Sequence, residues 1–219
     1  MSVHLQREID KLKKSLLSLC ALVEDQVQSA VQAVLNRDEA QAREIVERDV
    51  KIDQLEVEVE EECLKTLALH QPVATDLRLI ISALKINTDL ERIGDMAVNI
   101  ARKGVGLASD TPVEITFDLR GMWSKTHSML RDSLDALVNM DSELAHSVCT
   151  RDDEIDAMKR EFRMEMESRI QRDPENVKQY LRFMAISRNL ERIADMATNI
   201  AEDVIYLAQG KIVRHGEKG

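Results

Sequence analysis

Aromatic residues make up only 3% of this 219-residue chain, and glycine and proline number seven and three. A sheet protein of this length would need aromatic side chains to fill its pleated faces and many Gly or Pro residues at its turns, so an all-β architecture is excluded. Cysteine is scarce as well. Cys20, Cys63 and Cys149 are odd in number and form no CxxC pair, which excludes a disulfide framework and points to a reducing compartment, with the thiols packed in helix seams. The apolar run LIISALKI at 79–86 is far too short to span a bilayer, and the charged start MSVHLQREIDKLKK is no signal peptide. A cytoplasmic protein is expected. Basic charge is also in deficit, with 30 Lys and Arg against 40 Asp and Glu and a net charge of −10. No stripe of cations is available to hold phosphates, so nucleic acid is not the expected partner. No Gly-rich loop suits a nucleotide and no Ser, Cys and His assemble at nucleophile–base spacing, so no catalytic residues are assigned.

What remains is the composition of long helices: 44% hydrophobic and 32% charged residues. Leu5, Ile9, Leu12, Leu16, Leu19, Val23, Val27, Ala30 and Val34 recur at steps of three and four, the stripe of a core-facing helix that stops near Asn36. Asp38 with Gln41 resembles a capping box and opens a second helix, where Ile45, Ile52, Leu55, Val59 and Cys63 carry the pattern to about His70. Pro72 suits the first turn of a third helix, which Gly104 and Gly106 are expected to end. The stretch GVGLASDTPVEIT, 104–116, reads as a linker. Beyond it the pattern predicts a fourth helix at about 117–139, a fifth from Asp141, and a sixth from Asp173-Pro174 to near Gly210. The expectation is an all-α fold of six long helices in two tandem three-helix bundles. The first repeat is 1–106, the linker 107–116 and the second repeat 117–219.

The second half repeats the first. Between 89–101 and 189–201 ten of thirteen positions are identical at an offset of 100, and RDVKID at 48–53 matches RDDEID at 151–156 at an offset of 103. Each half thereby carries two acidic steps of four residues: Asp49/Asp53 with Glu91/Asp95, and Asp152/Asp156 with Glu191/Asp195. Asp49 and Asp95 are equidistant from residue 72, as are Asp53 and Glu91, and both pairs of the second half are centred on the Asp173-Pro174 step. Helices rise ~1.5 Å per residue, so residues equidistant from a hairpin turn lie at the same height. Two sets of four carboxylates are therefore expected.

Four carboxylates in a small space cannot all stay ionised without help. The remedies are proton sharing, a ring of Arg and Lys, or a metal, and oxygen-only donors suit hard cations, iron or manganese. Asn99 and Asn199, one turn beyond Asp95 and Asp195, would extend the site or hold a water. Zinc is less usual without His or Cys. The plainer reading is that each acidic pair is a solvated helix face. In the second half, relief is available if Arg188 pairs with Glu191 and Lys159 or Arg160 with Asp156.

The segments QPVATDLRLIISALKINTDLERIGD, LERIGDMAVNIA and LERIADMATNIAEDVIYLAQGKIVRH resemble the PhoU family over nearly the whole chain, internal duplication included. The resemblance implies two three-helix bundles and, in members where metal has been seen, multinuclear iron or zinc on paired (E/D)xxxD motifs. Those motifs match Asp49/Asp53 with Glu91/Asp95 and Asp152/Asp156 with Glu191/Asp195 here. It also implies a negative regulator and not an enzyme, coupling the ATPase subunit of a phosphate ABC transporter to a phosphate sensor histidine kinase, and it makes a homodimer plausible. Association with the membrane would be peripheral, through those partners. The chain departs from the family at Met96 and Met196, where many relatives have His, so any nitrogen ligand from that position is lost. His4 and His215 are terminal, His70 is at a turn and His127 is on a helix face. The rival readings are a ferritin-like di-iron oxidoreductase, for which Glu143 and His146 supply one ExxH step where two are needed, and a metal-free helical scaffold.

Overall fold

The structure, a computed structural model, describes residues 3–113 and 117–210, except for the side chain of Val3. The part of the linker at 114–116, and His215 in the C-terminal segment, lie outside the described residues. The described chain is all-α, as expected. The first repeat holds α1 (Val3–Asn36), α2 (Glu39–Arg48), α3 (Val50–His70) and α4 (Ala74–Ser109). The second holds α5 (Leu119–Asn139), α6 (Ser142–Cys149), α7 (Asp152–Arg172), a 3-10 turn at Pro174–Asn176 and α8 (Val177–Gln209).

The predicted second and fifth helices are each broken once, at Asp49 and at Thr150–Arg151. Neither break holds Gly or Pro, and each is flanked by an ion pair to another helix. Arg48 reaches Asp25 on α1 at 3.1 Å, and Arg151 reaches Asp132 on α5 at 2.7 Å. These matched pairs tie the joint in each half to the helix behind it. The turns that open α2 and α6 also match. Arg37 and Met140 take positive φ of 54° and 53°, and the N–H groups of Asp38 and Asp141 return to Ala33 O at 2.8 Å and Ala136 O at 2.9 Å. The Asp38 carboxylate accepts from Gln41 N at 2.9 Å. That is the forward arm of the predicted capping box, and the reverse arm has no donor to satisfy because the Asp38 N–H is already used.

Gly104 and Gly106 do not end the third long helix. It continues as α4 to Ser109, and the two glycines serve close packing instead. A Cβ on Gly104 would lie 3.0 Å from Val34 Cγ2, and one on Gly106 would lie 2.5 Å from the Arg182 guanidinium. Arg182, on α8, donates to Gly106 O at 3.1 Å and pairs with Asp110. Arg37 donates to the carbonyls of Leu107 and Asp110. Two side chains from outside the helix thus satisfy its last carbonyls. Pro72 lies in the turn ahead of Ala74, the first residue of α4, whereas Pro174 opens its 3-10 turn.

The core runs through both repeats without a gap. All nine predicted stripe residues of α1 are buried, as are Ile45, Ile52, Val59 and Cys63. The longest seam is between α4 and α8, where Lys85 meets Asp203 and Gly106 meets Arg182, so the two helices run in opposite directions. The helices α1 and α5 back them, which leaves α3 and α7 against one side of α4 and α8 respectively. Cys20 and Cys63 are buried, Cys149 is half-buried and all three are free thiols. Burial pushes Cys20 and Cys63 up to about 12 and Cys149 up to about 11, which makes them packing groups and not nucleophiles. No described helix is long and apolar enough to cross a membrane.

Candidate functional site

The hairpin register brings the first four carboxylates together. Asp49 stands at the joint of α2 and α3 and feels Asp53 on its own helix and Asp95 across on α4, while Glu91 feels Asp95 beside it and Asp53 across. These are the cross-helix partners expected from equal distance to the turn. Backbone approach is close here: a Cβ on Gly94 would stand 3.2 Å from Ile52 Cγ2 and 3.8 Å from Asp49 Oδ1. Asp49 and Glu91 are half-buried, and Asp53 and Asp95 are exposed. Burial comes first in raising Asp49, partly opposed by a hydrogen bond from Gln26 Nε2 at 2.8 Å, with Asp53 and Asp95 adding to the rise. Burial also raises Glu91, reinforced by Asp95, Glu56 and Asp53.

In the second set, Asp152, Asp156, Glu191 and Asp195 are all half-buried. Asp195 is pushed up to about 6, first by burial, then by Glu191, Asp152 and Asp156, with Lys159 pulling the other way. Asp152 is raised by burial, then by Asp156, Asp153 and Glu191, and is drawn back by the Thr198 hydroxyl. The cation beside Glu191 is Lys159, with Nζ to Oε1 at 2.5 Å, and not Arg188, which is exposed. Arg160 meets Asp156 at 3.9 Å, as the spacing predicted. Asn99 is half-buried and Asn199 exposed, each one turn beyond its carboxylate on α4 or α8.

Two members of the site were not named from the sequence. Gln26 is a polar residue on the buried stripe of α1, only 5% exposed, and that position was its legible signal. Glu56 is one turn beyond Asp53. Its backbone carbonyl and Oε1 each accept from Asn87 Nδ2 at 3.0 Å, and burial raises its carboxyl, with Glu60 and Asp53 adding to the effect.

Chemically, these sets offer oxygen donors whose charge is penalised by partial burial and crowding. The first set matches a hard cation in donor type, although no group of three or more described His, Cys, Asp and Glu is disposed to hold a metal ion as it stands. The second fits less well, because an ammonium already touches one of its carboxylates. Met96 and Met196 are partly buried and packed against the core, so they serve packing. Glu143 and His146 lie on the exposed face of α6, outside any bundle interior where a di-iron centre would sit.

A family profile described as the PhoU domain matches residues 16–104 and 119–204, one match per repeat. The chain is 39% identical over 216 residues to a phosphate-specific transport system accessory protein PhoU homolog of Pseudomonas putida, covering 98% of this chain and 84% of that protein. It is 34% identical to PhoU homolog 1 of Thermotoga maritima over 99% of this chain and 94% of that one. Among solved structures, PhoU from Pseudomonas aeruginosa superimposes with a TM-score of 0.90 at 38% identity, over 94% of this chain and 99% of that one. The phosphate transport system regulatory protein PhoU from Streptococcus pneumoniae superimposes with a TM-score of 0.84 at 29% identity, over 95% and 99%. Matched in both repeats, along nearly its full length and in three dimensions, the chain belongs to the PhoU family.

Proposed function

We propose that this protein is a negative regulator of the phosphate-starvation response, coupling a phosphate-specific ABC transporter to a sensor histidine kinase. Its role is contact and not catalysis. The partners are the ATPase subunit of the transporter and the kinase, the protein is cytoplasmic, and it reaches the membrane through those partners. The backing helices α1 and α5 are free of the acidic sets and are the surfaces on which a homodimer would form. The carrying observation is that a repeated fold places a set of partly desolvated carboxylates at the same point of each hairpin. Its support comes from relatives named as accessory proteins of phosphate-specific transport.

The acidic sets are the signalling surface in this reading. Iron, manganese or zinc ions would be held by the carboxylates of Asp49, Asp53, Glu91 and Asp95, with Asn99, and of Asp152, Asp156, Glu191 and Asp195, with Asn199. A metal bound there supplies positive charge and an open position for phosphate oxygens. The test uses a host strain that lacks its own copy and carries a phosphate-starvation reporter. The wild-type chain silences the reporter in high phosphate, and a variant with Asp49, Asp95, Asp152 and Asp195 all changed to Asn does not, at equal protein level. Full silencing by that variant would remove the acidic sets from the mechanism.

A further inference from the structure

The outward side of α3 is apolar where a solvated helix would be polar. Val50, Val57 and Leu64 recur at steps of seven and are 55%, 49% and 54% exposed. Seven residues are close to two helical turns, so the three share one side of the helix in a row about 21 Å long. The core-facing side is a different one, where Ile52, Val59 and Cys63 are each 0% exposed. The borders of the row are acidic. Helical spacing sets Glu60 along one border and Glu61 along the other, and both are exposed. Among the described residues no ion pair reaches either of them. The nearby cations are spent toward α1, where Lys65 meets Glu8 at 3.4 Å and Lys11 pairs with Glu62. Over its length α3 carries six acidic residues against two lysines.

The second repeat shows what an unused face looks like. The offset of 103 residues carries Val50, Val57 and Leu64 onto Asp153, Arg160 and Glu167, and Glu60 onto Arg163. That surface satisfies itself, with Arg160 3.9 Å from Asp156 and Arg163 2.8 Å from Glu167. The face of α3 instead combines bare apolar area with unpaired negative charge, and the charge selects what covers it. A second copy laid on the same row by a twofold axis would set acid against acid. An anionic membrane surface would repel it as well. A helix whose own apolar row is bordered by Lys and Arg satisfies both features at once.

We infer that the outward face of α3 is the docking site for a basic amphipathic helix of a protein partner, whose apolar side chains cover Val50, Val57 and Leu64 while its Lys and Arg meet Glu60 and Glu61. The site belongs to the first repeat alone, because α7 presents paired ions at the matched places. The role given to it in signalling rests on the reading that this protein acts by contact.

The probe is a fluorescein-labelled synthetic helix, three heptads long, with Leu along one side bordered by Arg, and a twin that carries Glu in place of Arg. Fluorescence anisotropy measures each against the purified full chain. Wild type binds the Arg-bordered peptide about tenfold or more tighter than its twin. Val57→Ser with Leu64→Ser, both at exposed positions and with no change in charge, weakens that binding by about tenfold or more through lost apolar burial. Glu60→Gln with Glu61→Gln weakens it several-fold and flattens its salt dependence. Asp153→Asn with Glu167→Gln, which takes the same charge from the matched face of α7, leaves it within about twofold, as only the α3 charges border the row. In the reporter strain the Ser pair no longer silences the reporter in high phosphate, at equal protein level. No binding by wild type, equal binding of the two peptides, or equal loss from the α3 and α7 charge variants overturns the inference. So does full silencing by the Ser pair. Sedimentation velocity and flotation with anionic vesicles examine the other occupants: a dimer or vesicle binding that wild type shows and the Ser pair lacks overturns it too. A wild-type chain that fails to silence the reporter, with the peptide results as expected, removes the regulatory role and keeps the docking site.

Discussion

In the first repeat Gln26 reaches across from α1 to hold Asp49. In the second, the Thr198 hydroxyl of α8 makes no hydrogen bond to Asp152, and Ser133, which follows Asp132 as Gln26 follows Asp25, spends its hydroxyl on Leu130 O. The outward face differs too: Val50, Val57 and Leu64 are exposed on α3, where α7 has Asp153, Arg160 and Glu167. The backbone plan is common to both halves, yet the side chains that meet the clustered charge are not. Duplication conserves the packing that positions the carboxylates, while the group that meets them has changed from a buried amide, Gln26, in the first repeat to a partly exposed ammonium, Lys159, in the second.

The comparison is broken most severely at the outer end of the second repeat. Phe162, Met166 and Tyr180 form a second small core, with Phe117 stacked 4.5 Å from Phe162 at 38°. The first repeat has Val59 and Ile80 at the matched places of Phe162 and Tyr180, joined to the main core. Phe162→Ala should cost about 3–5 kcal/mol in urea unfolding, by lost burial plus a cavity.

Gly94→Ala imposes on the first repeat the Cβ that Ala194 already gives the second. The new methyl meets Ile52 Cγ2 at 3.2 Å, so a loss of about 1–2 kcal/mol is expected from overpacking, with recovery when Ile52→Val is added. Differential scanning calorimetry of the single and double variants would check it, and a Gly94→Ala protein as stable as wild type would mean that the hairpin has slack there.

Helix caps come next. Asp141 accepts from two N–H groups, Glu143 and Leu144, both at 3.0 Å, whereas Asp38 accepts from one. Each change to Ala should cost about 1 kcal/mol, with Asp141→Ala the larger loss, as read by chemical denaturation.

The smallest effect has the opposite sign. Asp195 is held up at about 6 against an ordinary 3.8, so the folded chain keeps a proton there that the unfolded chain releases. Stability from the neutral form is full at low pH and is lost as pH rises through that window. Asp195→Asn keeps the neutral form at every pH. At pH 8 it should unfold about 2–4 °C above wild type, once solvent screening at a half-exposed site is allowed for, and the gap should close below about pH 4. Asp95→Asn, at an exposed carboxylate of the first set, should move the midpoint less.

Much of this was readable in the chain. The stripe of α1, the turn-centred acidic steps, the Asp38 cap and the stop at Gly210, whose φ is 70°, follow from period, spacing and local backbone preference. The roles of Gly104 and Gly106 were not readable, because helix termination and close helix contact both call for a missing Cβ. Likewise, no local pattern announces the joints at Asp49 and Arg151 or the ion pairs to α1 and α5 beside them.

By itself the sequence determined the helices, the duplication and the height of each carboxylate along its hairpin, since rise per residue and apolar period are properties of a single chain segment. Only tertiary structure decided that both repeats share one core, that Lys159 turns to Glu191 while Glu56 turns to Asn87, and which carboxylates stay half-buried. Those outcomes depend on which helix lies behind a given face, and burial and Coulomb energy are set by neighbours far away along the chain.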